Sequence, residues 1–155
     1  MELIEAKIER IVGNPKSQFA VVLTADDKRF LIFVGQSEAI AVFRALGDQP
    51  TDRPMTHDIV SGVFVAFDIE VRRISISSLL DGIFCATLQL TQAAPDDAEP
   101  RSEVRLDLRA SDAIVLALKT DSQLYVARSV LSQVEDVTDQ LPDIEGFPPD
   151  DDSSL

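Results

Sequence analysis

Two short stretches 74 residues apart are written to one plan: Gly35-Gln36-Ser37-Glu38-Ala39-Ile40 and Arg109-Ala110-Ser111-Asp112-Ala113-Ile114. Each follows a run rich in strand formers, residues 30–34 in the first case and 104–109 in the second, and each opens an apolar segment with helical spacing. Ser37 and Ser111 read as N-caps, with Glu38 and Asp112 in the first turn at the positive end of the helix dipole. A serine followed by an acid is also the commonest way to begin any helix, so the plain reading of each acid is a helix-start residue. The matching context says more. Both stretches sit behind a hairpin, residues 19–34 and 84–109, and two such units predict an internally duplicated fold.

The chain of 155 residues is long enough for one domain with a real core. We place that domain at residues 1–134 and an acidic, disordered tail at 135–155. Of the net charge of −13, eight negative and no positive charges fall from Glu135 onward, leaving −5 on residues 1–134. No basic stripe stands out, which argues against tight nonspecific DNA binding by charge alone. No apolar run approaches the roughly 18 residues needed to cross a bilayer. The opening Met1-Glu2-Leu3-Ile4-Glu5 lacks the basic-then-apolar plan of a signal peptide, so no membrane is expected and the expected compartment is the cytoplasm. The lone Cys85 excludes an intrachain disulfide and a cysteine-rich zinc site.

Along the chain, residues 1–12 alternate as a half-buried strand, and residues 19–24 and 30–34 make a hairpin about Asp26-Asp27. Residues 30–34 are apolar on both faces, which predicts a central strand. Gly47 is the expected stop of the first helix. Thr56 is the expected cap of a second, whose stripe Ile59, Val60, Val63, Phe64 and Phe67 predicts a core face. Residues 68–79 return to strand, with a bulge near Arg72-Arg73 to reconcile the phases of Ile69 and Val71 with those of Ile74 and Ile76. Leu80-Asp81-Gly82 is a hairpin turn, residues 91–102 an exposed loop, and Leu124-Tyr125-Val126 a short strand.

Chemistry has few carriers. His57, the only histidine, lies at a loop-to-helix junction, where a neutral imidazole can take a proton from water and Asp58 can orient it. A phosphodiester hydrolase commonly uses carboxylates to hold Mg²⁺ or Mn²⁺, a base, and a cation for the charged transition state. Glu38, Asp58, Asp107 and Asp112 are candidates for the first role, His57 for the second, and Arg53 or Arg109 for the third. The helix-start carboxylates converge if the duplicated halves pack about a pseudo-twofold axis. Phosphate-loop, nucleophile-elbow and zinc-protease motifs are absent.

Four segments, Val34-Gly35-Gln36-Ser37-Glu38-Ala39, Arg53-Pro54-Met55-Thr56-His57-Asp58, Leu80-Asp81-Gly82-Ile83-Phe84-Cys85-Ala86 and Arg109-Ala110-Ser111-Asp112-Ala113-Ile114, resemble in order the motifs of the bifunctional nuclease domain family. The resemblance covers about residues 1–131 and departs at Ala110, where the family usually has proline, and at Cys85, where an aromatic is usual. It implies an α+β domain with a mixed, strongly bent β-sheet and about three packed helices, and a nuclease acting on RNA or DNA. Motif positions with suitable chemistry make His57, Asp58, Arg109 and Asp112 the catalytic candidates. Glu38, Asp58 and Asp112 are metal candidates for Mg²⁺ or Mn²⁺, and Arg53, Ser37 and Ser111 are substrate contacts. The competing reading is a non-catalytic module acting through a protein or nucleic-acid partner. A pocket for a small anion at the paired helix starts is a third. A homo-oligomer is compatible with all three.

Overall fold

The computed structural model describes residues 1–14, 16, 18–92, 102–144 and 146–147. Its strands are β1 (Leu3–Val12), β2 (Phe19–Ala25), β3 (Lys28–Val34), β4 (Ile69–Leu80), β5 (Ile83–Gln92), β6 (Glu103–Arg109) and β7 (Leu124–Ala127). The helices are α1 (Gln36–Leu46), α2 (Thr56–Ala66), α3 (Ala110–Lys119) and the single turn α4 (Arg128–Leu131), with a 3-10 turn at Leu141–Asp143. The strands form one mixed sheet in the order β3-β2-β1-β7-β4-β5-β6. No helix among the described residues is long and apolar enough to cross a membrane.

That order displays the duplication. β1-β2-β3-α1 and β4-β5-β6-α3 lie on either side of β7, which is antiparallel to β1 and parallel to β4. β1 and β4 therefore run in opposite directions, as a twofold through β7 requires. The helix ends repeat as well. In α1 the N–H of Gln49 reaches the carbonyl of Arg44 (2.9 Å) and that of Asp48 the carbonyl of Ala45 (3.3 Å). In α3, Ser122 reaches Ala117 (2.9 Å) and Asp121 reaches Leu118 (3.4 Å). Both are Schellman motifs with an aspartate in the left-handed position, Asp48 at φ 48° and Asp121 at φ 51°. Gly47, the expected stop, is the C-cap of α1, and the left-handed residue follows it at Asp48.

The sheet is bent enough to bring its two ends together. Phe30 of β3 stacks near Phe84 of β5, ring centroids 6.3 Å apart, and a groove of about 360 Å³ runs between Phe33 and Gly35 on one side and Ile83 and Arg109 on the other. Helix α3 fills the concave face. Ala113, Ile114, Val115, Leu116 and Ala117 are all buried, packed with Val21, Leu23, Phe30, Ile74, Ile76 and Leu88 in one core. The turn Asp81-Gly82 has both residues left-handed (φ 50° and 78°), the twist a two-residue hairpin needs, and the β4 register slips between Val71 and Arg73 as the phases of its isoleucines require.

Four expectations are corrected. β3 is an edge strand rather than a central one, although Phe30 and Ile32 are buried. Its other face is covered in part by the C-terminal segment. Val137, Leu141 and Ile144 pack with Val12, Ala20, Val22 and Leu31, and Val137 donates its N–H to the carbonyl of Arg29 (2.9 Å). The segment expected to be a tail from residue 135 is therefore docked at Val137, Leu141, Ile144 and Phe147; residues 145 and 148–155 lie outside the described residues, as do 93–101 of the expected loop. Short apolar side chains spaced among acids cannot fold alone, but they can cover an already formed sheet. The α2 stripe is only partly core: Phe64 is buried, whereas Ile59, Val63 and Phe67 are exposed. Finally, no serine or threonine caps these helices. The N-caps are Gly35, Met55 and Arg109, because extended backbone persists to each of them, and Ser37 and Ser111 lie inside the first turn.

Candidate functional site

Each long helix carries an acid at its third position, Glu38, Asp58 and Asp112. From there a carboxylate can turn back and accept the N-cap N–H. Asp58 does so, taking the Met55 N–H at 2.8 Å. Its other oxygen accepts from Lys119 Nζ, also at 2.8 Å, and the ammonium and the N–H together hold the Asp58 carboxyl below the usual carboxylate range.

The other two acids turn to Arg109 instead. The guanidinium grips Asp112 with two parallel bonds, Nε to Oδ2 at 2.8 Å and Nη2 to Oδ1 at 3.0 Å, and reaches Glu38 Oε1 with Nη1 at 3.0 Å. One side chain at the end of β6 therefore ties the start of α3 to the start of α1, across the two halves of the chain. Bidentate pairing favours the ionised acid, so Arg109 holds Asp112 low despite the opposing effect of burial, and the arginine is itself held more firmly protonated.

His57 completes the cluster. Its Nε2 lies 3.0 Å from Asp112 Oδ1. An ionised carboxylate can only accept, so Nε2 carries the hydrogen and the neutral ring keeps its lone pair on Nδ1. Among the described residues Nδ1 has no hydrogen-bond partner. The imidazole borders a cavity of about 190 Å³ between α1, α2 and α3, whose wall also holds Ser37, Glu38, Arg44, Val115 and Lys119. A base, two cations and a hydroxyl thus share one small space, which suits proton removal beside a phosphate.

The structure brings together His57, Asp112, Arg109 and Glu38, with Ser37 on the same cavity wall. Asp58 is next to His57 in sequence but is taken up by Lys119 and the helix start. Ser111 lines the other groove, beyond Arg109. Arg53 sits in the loop before α2, where its carbonyl accepts from Thr51 Oγ1, and Asp107 stands on β6 opposite Thr87. Neither is hydrogen-bonded to the cluster. Arg44 and Lys119 were not expected here. Both are last-turn cations, a position read as a complement to the helix dipole, and only the packing of α1, α2 and α3 brings them to the wall of the cavity that His57 borders.

The acids do not fit a Mg²⁺ or Mn²⁺ site as arranged. Glu38 and Asp112 share one guanidinium and Asp58 an ammonium, and among the described residues no three of His, Cys, Asp and Glu gather as a metal-holding group.

Comparison with known proteins agrees with the geometry of the fold. The family model described as bifunctional nuclease domain matches residues 21–139. Two Mycobacterium tuberculosis proteins, both described only as uncharacterized, are similar over 132 residues: MT1877 of strain CDC 1551 / Oshkosh and Rv1829 of strain ATCC 25618 / H37Rv. Each is 31% identical, with 80% of this chain and 73% of the relative covered. With the model spanning most of the chain and the duplicated, bent sheet that the resemblance implies, the chain belongs to the bifunctional nuclease domain family.

Proposed function

We propose that the chain is a nuclease that cleaves phosphodiester bonds of RNA or DNA, with His57 as the general base. The observation that carries the proposal is the Asp112-oriented imidazole at the wall of a cavity that also holds Arg44 and Lys119. The Nδ1 lone pair takes a proton from the attacking water as its oxygen bonds to phosphorus, the P–O bond to the leaving sugar oxygen breaks and the imidazolium returns the proton to that oxygen, while Nε2–H keeps its bond to Asp112, which stabilises the imidazolium as it forms. Arg109 acts one step back: it keeps Asp112 ionised and in place, so it is a positioning residue. Arg44 is the cation offered to the phosphoryl oxygens, with Lys119, already paired to Asp58, on the same wall, and charge stabilisation of this kind is commonly the largest part of such a barrier. The acidic balance of the chain means that binding relies on these few cations, and we place the protein in the cytoplasm.

A second reading is favoured by one feature: all three Arg109 side-chain nitrogens bond to two carboxylates, as in a structural clamp. On that reading the cluster locks the two halves together and the protein works as a binding module. Labelled single-stranded RNA and DNA incubated with wild type, His57→Ala and Arg44→Ala separate the two. The nuclease reading expects cleavage to fall by about 10²–10⁴ for His57→Ala with unchanged circular dichroism. Equal cleavage by all three proteins would mark a contaminant, and no cleavage by any of them would leave only the binding module.

A further inference from the structure

β6 is the last strand of the sheet, and among the described residues nothing pairs with its outer edge. Six of its seven residues are exposed, including Val104 and Leu106 at 44% and 43%, and the seventh, Leu108, is half-buried. An open edge of this length is a template for another strand, and proteins that avoid such pairing place charged side chains, proline or a bulge there. β6 has no proline and no bulge, and its four charged residues, Glu103, Arg105, Asp107 and Arg109, alternate in sign, so they attract a reversed second copy instead of repelling it. Its sequence, Glu103-Val104-Arg105-Leu106-Asp107-Leu108-Arg109, is complementary to itself when reversed.

Laid antiparallel on a second copy with Leu106 at the centre, every position meets a suitable partner. Glu103 faces Arg109 of the partner subunit, Val104 faces Leu108 of the partner subunit, and Arg105 faces Asp107 of the partner subunit. Leu106 faces Leu106 of the partner subunit. Opposite charges and apolar pairs directly across an antiparallel ladder each stabilise it, and a one-residue slip would set apolar against charged side chains along the whole strand. The opposite edge of the sheet makes the contrast. β3, Lys28-Arg29-Phe30-Leu31-Ile32-Phe33-Val34, has no such symmetry, and its Arg29 carbonyl is already taken by Val137.

From these observations we propose that the chain forms a twofold dimer through antiparallel pairing of β6 with β6, centred on Leu106, which joins two seven-stranded sheets into one. A stable interface buries about 1,200 Å² or more in total. The contact is not confined to backbone, because exposed Val104 and Leu106 flank the edge and Val65 of α2 borders the same groove as Glu103. The dimer also reaches the cluster around His57. Arg109 is 65% exposed, and Glu103 of the partner subunit would face it, adding a carboxylate from the second copy to the guanidinium that already holds Asp112 and Glu38. The pairing stands on the strand alone, whatever the catalytic activity of the protein.

Sedimentation velocity of the full chain over a range of concentrations tests this. Wild type is expected at twice the 17.0 kDa of one chain. Arg105→Glu sets two acids opposite each other at both ends of the centre and is expected to be monomeric, while the exchange Arg105→Glu/Asp107→Arg restores the pairing and the dimer. Circular dichroism shows that each variant is folded. Register is read by Leu106→Cys in a Cys85→Ser background, which should cross-link to itself under mild oxidation, whereas Glu103→Cys should not. A wild type that stays monomeric, an Arg105→Glu variant that dimerises as well as wild type, or cross-linking at 103 rather than 106 would each overturn the proposal.

Discussion

The corner from β3 into α1 and the corner from β6 into α3 have the same backbone plan and different uses. Both run from strand into helix without a loop, both put an acid at the third helical position, and both helices end in a Schellman motif on an aspartate. They differ at the N-cap, which is Gly35 in one and Arg109 in the other. A glycine leaves its acid nothing to hold, so Glu38 reaches across the molecule. The arginine holds its own acid, the acid of the other corner, and through Asp112 the imidazole of α2. The frame is repeated, and the different residue at the equivalent N-cap position, Gly35 against Arg109, gives the site its orientation.

The largest way to break this comparison is Arg109→Ala, which makes the two N-caps alike. Asp112 then loses the bonds that fix it, and cleavage should fall by about 100-fold, the scale expected when a catalytic group drifts by an ångström. Stability should change much less, by about 1 kcal/mol, since Arg109 is mostly exposed and screened. Initial rates and thermal melts of one preparation measure both.

Asp112→Asn sharpens the comparison through pH. The folded-state pKa of Asp112 is depressed, first by the Arg109 hydrogen bonds. Its stabilising contribution is therefore complete above the unfolded value of about 3.9 and disappears as the pH falls through the lower folded value. Denaturant melts should show wild type more stable than Asp112→Asn by about 1–2 kcal/mol at neutral pH, and the gap should close in acid. A gap that widens in acid would mean that Asp112 is not held as a carboxylate.

The third helix start provides a smaller test. Asp58→Ala removes a cap bond and an ion pair and should cost about 1 kcal/mol, whereas Thr56→Ala should lie within about 0.5 kcal/mol of wild type, since Thr56 caps nothing. Smallest in stability is Gly35→Ala. The backbone there is ordinary, but a Cβ would stand 2.5 Å from Glu38 Oε2, at the flexible end of that side chain. The carboxylate must move off, weakening its bond to Arg109. Melting should be unchanged within about 0.5 kcal/mol, with a measurable loss of rate that reports the Glu38 link alone.

Much of the architecture is legible in the residues because it is set by local rules. Period-two alternation marks the strands, Asp81-Gly82 marks a hairpin, and the conflicting phases of Val71 and Ile74 require the slip between Val71 and Arg73. The misreadings come from partners distant in the chain. β3 looks like a central strand because residues a hundred positions later cover its outer face, and the α2 stripe looks like core because periodicity reports amphipathicity without saying what the apolar face meets. The site divides the same way. His57, Asp112, Arg109 and Glu38 could be listed from residue type and the repeated motif. The bidentate grip of Arg109, the diversion of Asp58 to Lys119, and the arrival of Arg44 on the wall of the cavity that His57 borders depend on how three helix ends pack, which no spacing encodes.

The most direct test of the account uses the single histidine. Nitrogen-15 spectra of the imidazole report which ring nitrogen carries the hydrogen, and with one histidine in the chain the assignment is unambiguous. The account predicts that neutral His57 is fixed with Nε2 protonated and Nδ1 bare, and that Asp112→Asn or Arg109→Ala releases the ring toward tautomer averaging. A ring that carries its hydrogen on Nδ1, or spectra that are the same in wild type and both variants, would contradict the claim that the two corners converge to orient His57.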